Sequence, residues 1–172
     1  NQITTEGARH LAEFLKTSTT LKLLNLTSNM IKEDGAQCLA DALKLNSTLQ
    51  SLHFACNPIK IAGAHSLANV LKLNTSLTLL DLRSCRVEEE GTFYLADALT
   101  RNTSLRYLDV STNEIHEVGV YYLADALTRN TTLKHLDVAS NHIEREGIRR
   151  LADLFRVNKT LQTLILSGNG IN

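Results

Sequence analysis

Two hydrophobic rhythms alternate along this chain. In LRYLDVSTNEI, residues 105–115, apolar side chains stand at the first, fourth, sixth and eleventh places, with Asn at the ninth. Alternation at places four to six is the two-residue period of a strand with one buried face. Further on the period lengthens: Val120, Leu123, Ala124 and Leu127 lie three, one and three apart, which is one face of a helix. The whole sequence of events then repeats. LADALTRNTSLRYLDVSTNEI at 95–115 returns as LADALTRNTTLKHLDVASNHI at 123–143, 28 residues later. Self-similarity at such a period signals stacked units, none of which can bury its apolar face alone.

Five full units run 21–48, 49–76, 77–104, 105–132 and 133–160, without insertion or deletion. A partial unit occupies 1–20 and a truncated one 161–172, so one domain covers 1–172. Counting positions from each unit's first leucine, position 4 reads Leu24, Leu52, Leu80, Leu108, Leu136 and Leu164. Position 6 reads Leu26, Phe54, Leu82, Val110, Val138 and Leu166. Each unit is predicted to be strand, turn, helix, turn. Acids gather where the helix starts (Glu33 and Asp34; Glu88, Glu89 and Glu90; Glu144 and Glu146), and bases where it ends (Lys44, Lys72, Arg101, Arg129, Arg156). Both placements suit the helix macrodipole, so the triple glutamate reads as a solvated first turn. Glycine at position 15, as in Gly35, Gly63 and Gly91, points to close packing of helix on strand. Asn at position 26 follows the helix, where a left-handed cap is expected.

Composition narrows the function. Lys and Arg total 18 against 18 Asp and Glu, which removes the electrostatic case for nucleic acid or an anionic membrane. No apolar run is long enough to span a membrane, and the first residues do not form a signal peptide. Three widely spaced cysteines make no disulfide framework, which suggests a reducing, cytoplasmic setting.

The wording L-x-x-L-x-L-x-x-N-x-I followed by G-x-x-x-L-A-x-A-L, carried in register by all units, resembles the leucine-rich repeats of the ribonuclease-inhibitor-like class. It is most similar to the repeats of NOD-like receptors and related cytosolic proteins. The resemblance implies an α/β solenoid, a horseshoe with parallel strands on the concave side and helices on the convex side. It also implies a binding function. Cys85 replaces the position-9 Asn, a swap that the pattern allows, and Pro58 falls in a turn. Neither end shows a polar capping unit, so a longer array or protein is expected.

Positions 2, 3, 5, 7 and 8 should form the concave surface. Position 5 reads Asn25, His53, Asp81, Asp109, Asp137 and Ile165, a row in which three carboxylates would stack about 4.8 Å apart. Such a row raises a pKa, recruits a cation or basic partner, or is neutralised by Arg83, Arg106, Lys134 and His135 nearby. Tyr107 adds an aromatic anchor of the kind that interface hot spots use. The expected partner-contacting residues are therefore Arg83, Arg106, Tyr107, Asp109, His135 and Asp137. On the convex side, position 17 (Phe93, Tyr121) is expected to pack sideways, and position 18 (Tyr94, Tyr122) to look outward as a second contact surface.

Catalytic motifs are missing: the sequence contains no G-x-x-x-x-G-K-[ST], G-x-S-x-G or H-E-x-x-H. His53, Cys56 and Cys85 lack the short paired spacings of a metal site, so no metal or cofactor is expected. Asn-x-Ser/Thr strings at Asn25, Asn46, Asn74, Asn102, Asn130 and Asn158 could accept glycans, but helix-exit capping accounts for five of them better. The expected function is a non-enzymatic protein-interaction module, with the resemblance pointing to the sensor or autoinhibitory repeats of a NOD-like-receptor-type protein. The alternatives are a GTPase-activating protein of the Ran-activator type and an architectural spacer.

Overall fold

The computed structural model describes residues 2–170, which form an α/β solenoid. Six helices, α1 (Thr5–Thr17), α2 (Glu33–Leu43), α3 (Lys60–Leu71), α4 (Glu88–Leu99), α5 (His116–Arg129) and α6 (Arg145–Val157), alternate with six short strands. These are β1 (Leu23–Asn25), β2 (Ser51–His53), β3 (Leu79–Asp81), β4 (Tyr107–Asp109), β5 (His135–Asp137) and β6 (Thr163–Ile165). All six strands form one parallel sheet in chain order, β1 to β6. Register follows the repeat, so that Leu52, Leu80, Leu108 and Leu136 are mutual neighbours.

The core lies between sheet and helices. Leu52, Leu80, Leu108, Leu136, Phe54, Leu82, Val110 and Val138 are all buried. Against them pack the helical leucines and alanines, among them Leu39, Leu67, Leu95 and Leu123. Leu24 and Leu164, which have a neighbouring strand on one side only, are partly buried. The core is therefore made by stacking, because each apolar face closes against the next unit.

Asparagine at position 26 does not adopt the expected left-handed cap. Asn130 and Asn158 are extended, at φ −71° and −75°, and the side chain does the capping instead. Asn102 Nδ2 donates to the carbonyls of Leu71 (2.7 Å) and Asn74 (3.3 Å) in the preceding unit. Its Oδ1 accepts from the amides of Ser104 (3.0 Å) and Leu105 (2.7 Å) in its own turn. Asn46, Asn74, Asn130 and Asn158 repeat the arrangement. Each thus satisfies a carbonyl at the end of the neighbour's helix rather than of its own. All five are buried, with the nitrogen that a glycan would need already engaged, whereas Asn25 is exposed.

A second asparagine ladder runs through position 9. Asn113 Oδ1 accepts from the amides of Cys85 and Val87, and its Nδ2 donates to Leu82 O at 2.8 Å. Asn57 and Asn141 bond in the same way. Cys85 supplies only half of this: its thiol reaches Phe54 O at 3.3 Å, while the Ile59 amide turns to the carbonyl of Asn57. The ladder also supports strained backbone. Position 8 is left-handed in every described unit, including β-branched Thr112 at φ 56°, whose amide bonds Ala139 O of the next unit.

The position-15 glycines pack helix on helix and on their own turn, not helix on strand. A Cβ at Gly63 would lie 2.6 Å from Ile59 Cβ and 3.1 Å from Ala36 Cβ of the adjacent helix. Gly63→Ala is therefore expected to destabilise the domain by about 1–3 kcal/mol despite the better helix propensity of alanine. Asn102→Ala, which strands four backbone groups, should cost roughly 3 kcal/mol. Urea denaturation measures both; a loss under about 0.5 kcal/mol, as expected for Asn25→Ala, would contradict the ladder account.

Candidate functional site: the concave face of β3 to β5

Each strand is only three residues long, so its central leucine points inward and its two flanking residues share the concave face. On β3 to β5 these flanks form two rows, Leu79–Tyr107–His135 and Asp81–Asp109–Asp137, paired directly across the ladder. The Tyr107 and His135 rings stack with centroids 4.1 Å apart and planes within 8°. His135 Nε2 is buried and is without a hydrogen-bond partner among the described residues.

The carboxylates are less open than position 5 suggests: Asp81 is 7% exposed and Asp109 5%, while Asp137 is half-buried. Parallel strands bring the flanking side chains over one another. Each carboxylate also folds back on its own strand exit. Asp81 Oδ1 accepts from the Arg83 amide at 3.1 Å, and Asp137 Oδ1 from the Ala139 amide at 2.9 Å. Asp109 Oδ1 accepts from both the amide and the hydroxyl of Ser111, at 2.9 and 2.7 Å. Burial is the main cause that holds the Asp137 carboxyl above its ordinary range, with the Asp109 charge adding to it. Burial and the same acids also raise the Tyr107 phenol.

Of the residues expected here, Tyr107, Asp109, His135 and Asp137 form one patch. Arg83 joins it, with its guanidinium 4.0 Å from Asp81. Arg106 stands apart: its guanidinium donates to Thr132 O at 3.0 Å and pairs with none of the carboxylates. His53, which stands in the position-5 row but not among the residues expected to contact a partner, also joins the patch. Its Nδ1 lies 3.4 Å from Asp81 Oδ2, because position 5 of β2 is in register with position 5 of β3.

Among the described residues no three His, Cys, Asp or Glu side chains are placed to hold a metal. Cys85 is buried, and that burial pushes its thiol up to about 12. No described helix is long and apolar enough to cross a membrane.

On the convex side the expected roles of positions 17 and 18 are exchanged. Phe93 and Tyr121 are 45% and 48% exposed, whereas Tyr94 and Tyr122 pack against the core. Position 18 shares a helical stripe with positions 15 and 22, which face the preceding helix. Tyr94 accordingly meets His65 of α3 at 4.2 Å, and Tyr122 meets Phe93 of α4 at 5.1 Å.

The Leucine Rich repeat profile matches residues 17–40, 45–68, 73–96, 101–124, 129–152 and 157–172. The chain belongs to the leucine-rich repeat family. No curated protein matches it in sequence. Among solved structures it is similar to leiomodin-1 actin-binding site 2, at 20% identity and a TM-score of 0.71 over 87% of this chain and 86% of that one. It is also similar to the tropomodulin C-terminal domain of Caenorhabditis elegans, at 15% identity and a TM-score of 0.72 over 87% and 91%. At such identities the likeness is one of fold.

The raised Asp137 carboxyl makes a signed prediction. The native state holds this proton more tightly than the unfolded chain does. Stability is therefore lost as pH rises from the unfolded carboxyl pKa through the native one, and the loss is complete at neutrality. Asp137→Asn keeps the Ala139 contact and removes the charge. It is expected to melt above the native chain at pH 7, with the gain vanishing at about pH 3. A variant that melts lower at pH 7 would show that the carboxylate stabilises the fold.

Proposed function

We propose that this chain is a non-enzymatic protein-interaction module that binds its partner on the concave sheet. The observation that carries this reading is the patch on β3 to β5, where a parallel Tyr107–His135 stack lies beside a row of three carboxylates, of which Asp81 has basic neighbours. A carboxyl that partial burial holds above its ordinary range, as at Asp137, is costly to the fold, and such costs concentrate where a surface is used. The surrounding aromatic and guanidinium groups are the types that dominate binding energy. A specific interface needs about 800 Å² per partner, within reach of six adjacent strands and their turns.

The partner is a protein. Repeat wording supports a sensor or autoinhibitory role of the NOD-like-receptor type. The leiomodin-1 domain is an actin-binding site, so filamentous actin belongs among the targets tested. The three unpaired cysteines suit a reducing compartment such as the cytoplasm.

Three forms of the chain test the proposal: native, a concave variant (Arg83→Glu, Tyr107→Ala, Asp137→Lys) and a convex variant (Phe93→Ala, Tyr121→Ala). Circular dichroism first establishes that all are folded. Affinity capture from cytosolic extract and actin co-sedimentation then compare them. A protein retained by the native and convex forms and lost by the concave variant is the expected result. Equal retention by native and concave forms, with loss in the convex variant, would transfer the site to the helices.

A further inference from the structure

Comparing units shows which convex side chains the fold requires. Position 17 reads Arg9, Gln37, His65, Phe93, Tyr121 and Arg149, so the solenoid needs no large aromatic ring there. Position 25 reads Thr17, Leu45, Leu73, Arg101, Arg129 and Val157, so it needs no base there either. Yet the aromatic pair and the arginine pair fall in the same two units, and together they bound one groove of about 570 Å³ between α4 and α5. Phe93 and Tyr121 stand exposed at one end of it, and Arg101 and Arg129 stand exposed eight residues further along the chain, at the other. Eight helical residues put the two ends about 12 Å apart. Phe93 meets Tyr122 across the groove at 5.1 Å, and Ala96 and Ala126 line the space beyond. Asp97 is already paired with Lys72 at 2.7 Å. Asp125, Arg101 and Arg129 have no partner within ion-pair distance among the described residues. The groove therefore presents, in order, rings, one unpaired acid and two unpaired bases.

We propose that this groove is a second docking surface, independent of the concave one, and that it receives an amphipathic helix of a protein partner lying antiparallel to α4 and α5. The order of charges selects the occupant. The arginine end meets an acid, Asp125 one turn back meets a base, and Tyr121 and Phe93 beyond meet apolar side chains. Tyr121, Asp125 and Arg129 are spaced four and four along α5. Their counterparts on one face of a helix are an acid at i, a base at i+4 and apolar residues at i+7 and i+8. Acids stabilise the first turn of a helix, so the incoming helix begins at the arginines. Its positive end then faces the negative carboxyl ends of α4 and α5, which favours the same direction. The small side chains of Ala96 and Ala126 allow a close interhelical approach, and the rings supply the contacts that dominate interface energy.

The test is a ¹⁵N–¹H NMR titration of the whole chain with a capped, alanine-based peptide that has glutamate at i, lysine at i+4, leucine at i+7 and phenylalanine at i+8. Three control peptides carry glutamine in place of the glutamate, the same residues in reverse order, or a central proline that breaks the helix. Circular dichroism first establishes that all but the proline peptide are helical. The glutamate peptide is expected to give saturable shifts at residues 93–101 and 121–129, with a dissociation constant on the order of 100 μM. The glutamine and reversed peptides should bind several-fold more weakly, and the proline peptide should not saturate. Arg101→Glu combined with Arg129→Glu should weaken binding of the glutamate peptide about tenfold and improve that of a lysine-for-glutamate peptide. The convex variant should lose the shifts, and the concave variant should keep them. Equal affinity for any of the three control peptides would overturn the proposal. So would shifts centred on the strands, or no saturable shift up to about 2 mM. Shifts at 93–101 and 121–129 that grow with the concentration of the chain alone would give the groove to a second copy and also overturn it. Capture by the concave face and peptide binding on the helices are read separately, so either can fail while the other stands.

Discussion

Irregular backbone buried between repeats must have its polar groups satisfied, and two ladders of asparagine do this throughout the domain. A carboxamide offers donors on one atom and an acceptor on the other, so one side chain can serve two turns at once. Asn102 ties the end of α3 to the turn ahead of β4, and Asn113 ties the turn after β4 back to the preceding unit. With these bonds in place the chain can hold Thr112 in a left-handed conformation and keep every strand to three residues. Short strands and tight turns in turn fix which side chains reach the concave face. The exception at Cys85 is instructive: sulfur replaces the donor half of the asparagine but not the acceptor half, and the chain reroutes the Ile59 amide locally.

The concave patch is a product of that strict register. A repeat of constant length puts position 5 of each unit beside position 5 of the next, whatever residue is there. Four ionisable groups, His53, Asp81, Asp109 and Asp137, are thereby forced into one line. The fold resolves the conflict at one end with His53 and Arg83, and leaves it unresolved at the other, where Asp137 is held above its usual range. Convex aromatics obey the same logic. Their rings meet across adjacent helices because position 18 of one unit overlies position 17 of the unit before it.

The sequence by itself determined the period, the order of strand and helix, the identity of the core and the rows of residues that must be neighbours. A fixed repeat length with an apolar face admits only stacking in register. It also placed Tyr107, Asp109, His135 and Asp137 together. What it could not decide were matters of direction and contact. Whether Asn102 capped its own helix or its neighbour's, whether Gly63 made room for a strand or for a helix, and whether Tyr94 or Phe93 faced solvent each depended on how adjacent units rotate against each other. The enclosure of Asp109 and the separation of Arg106 from the acids were settled in the same way. Those outcomes turn on side-chain reach and on desolvation by residues 28 positions away, and only the packed structure brings such residues within a few ångströms.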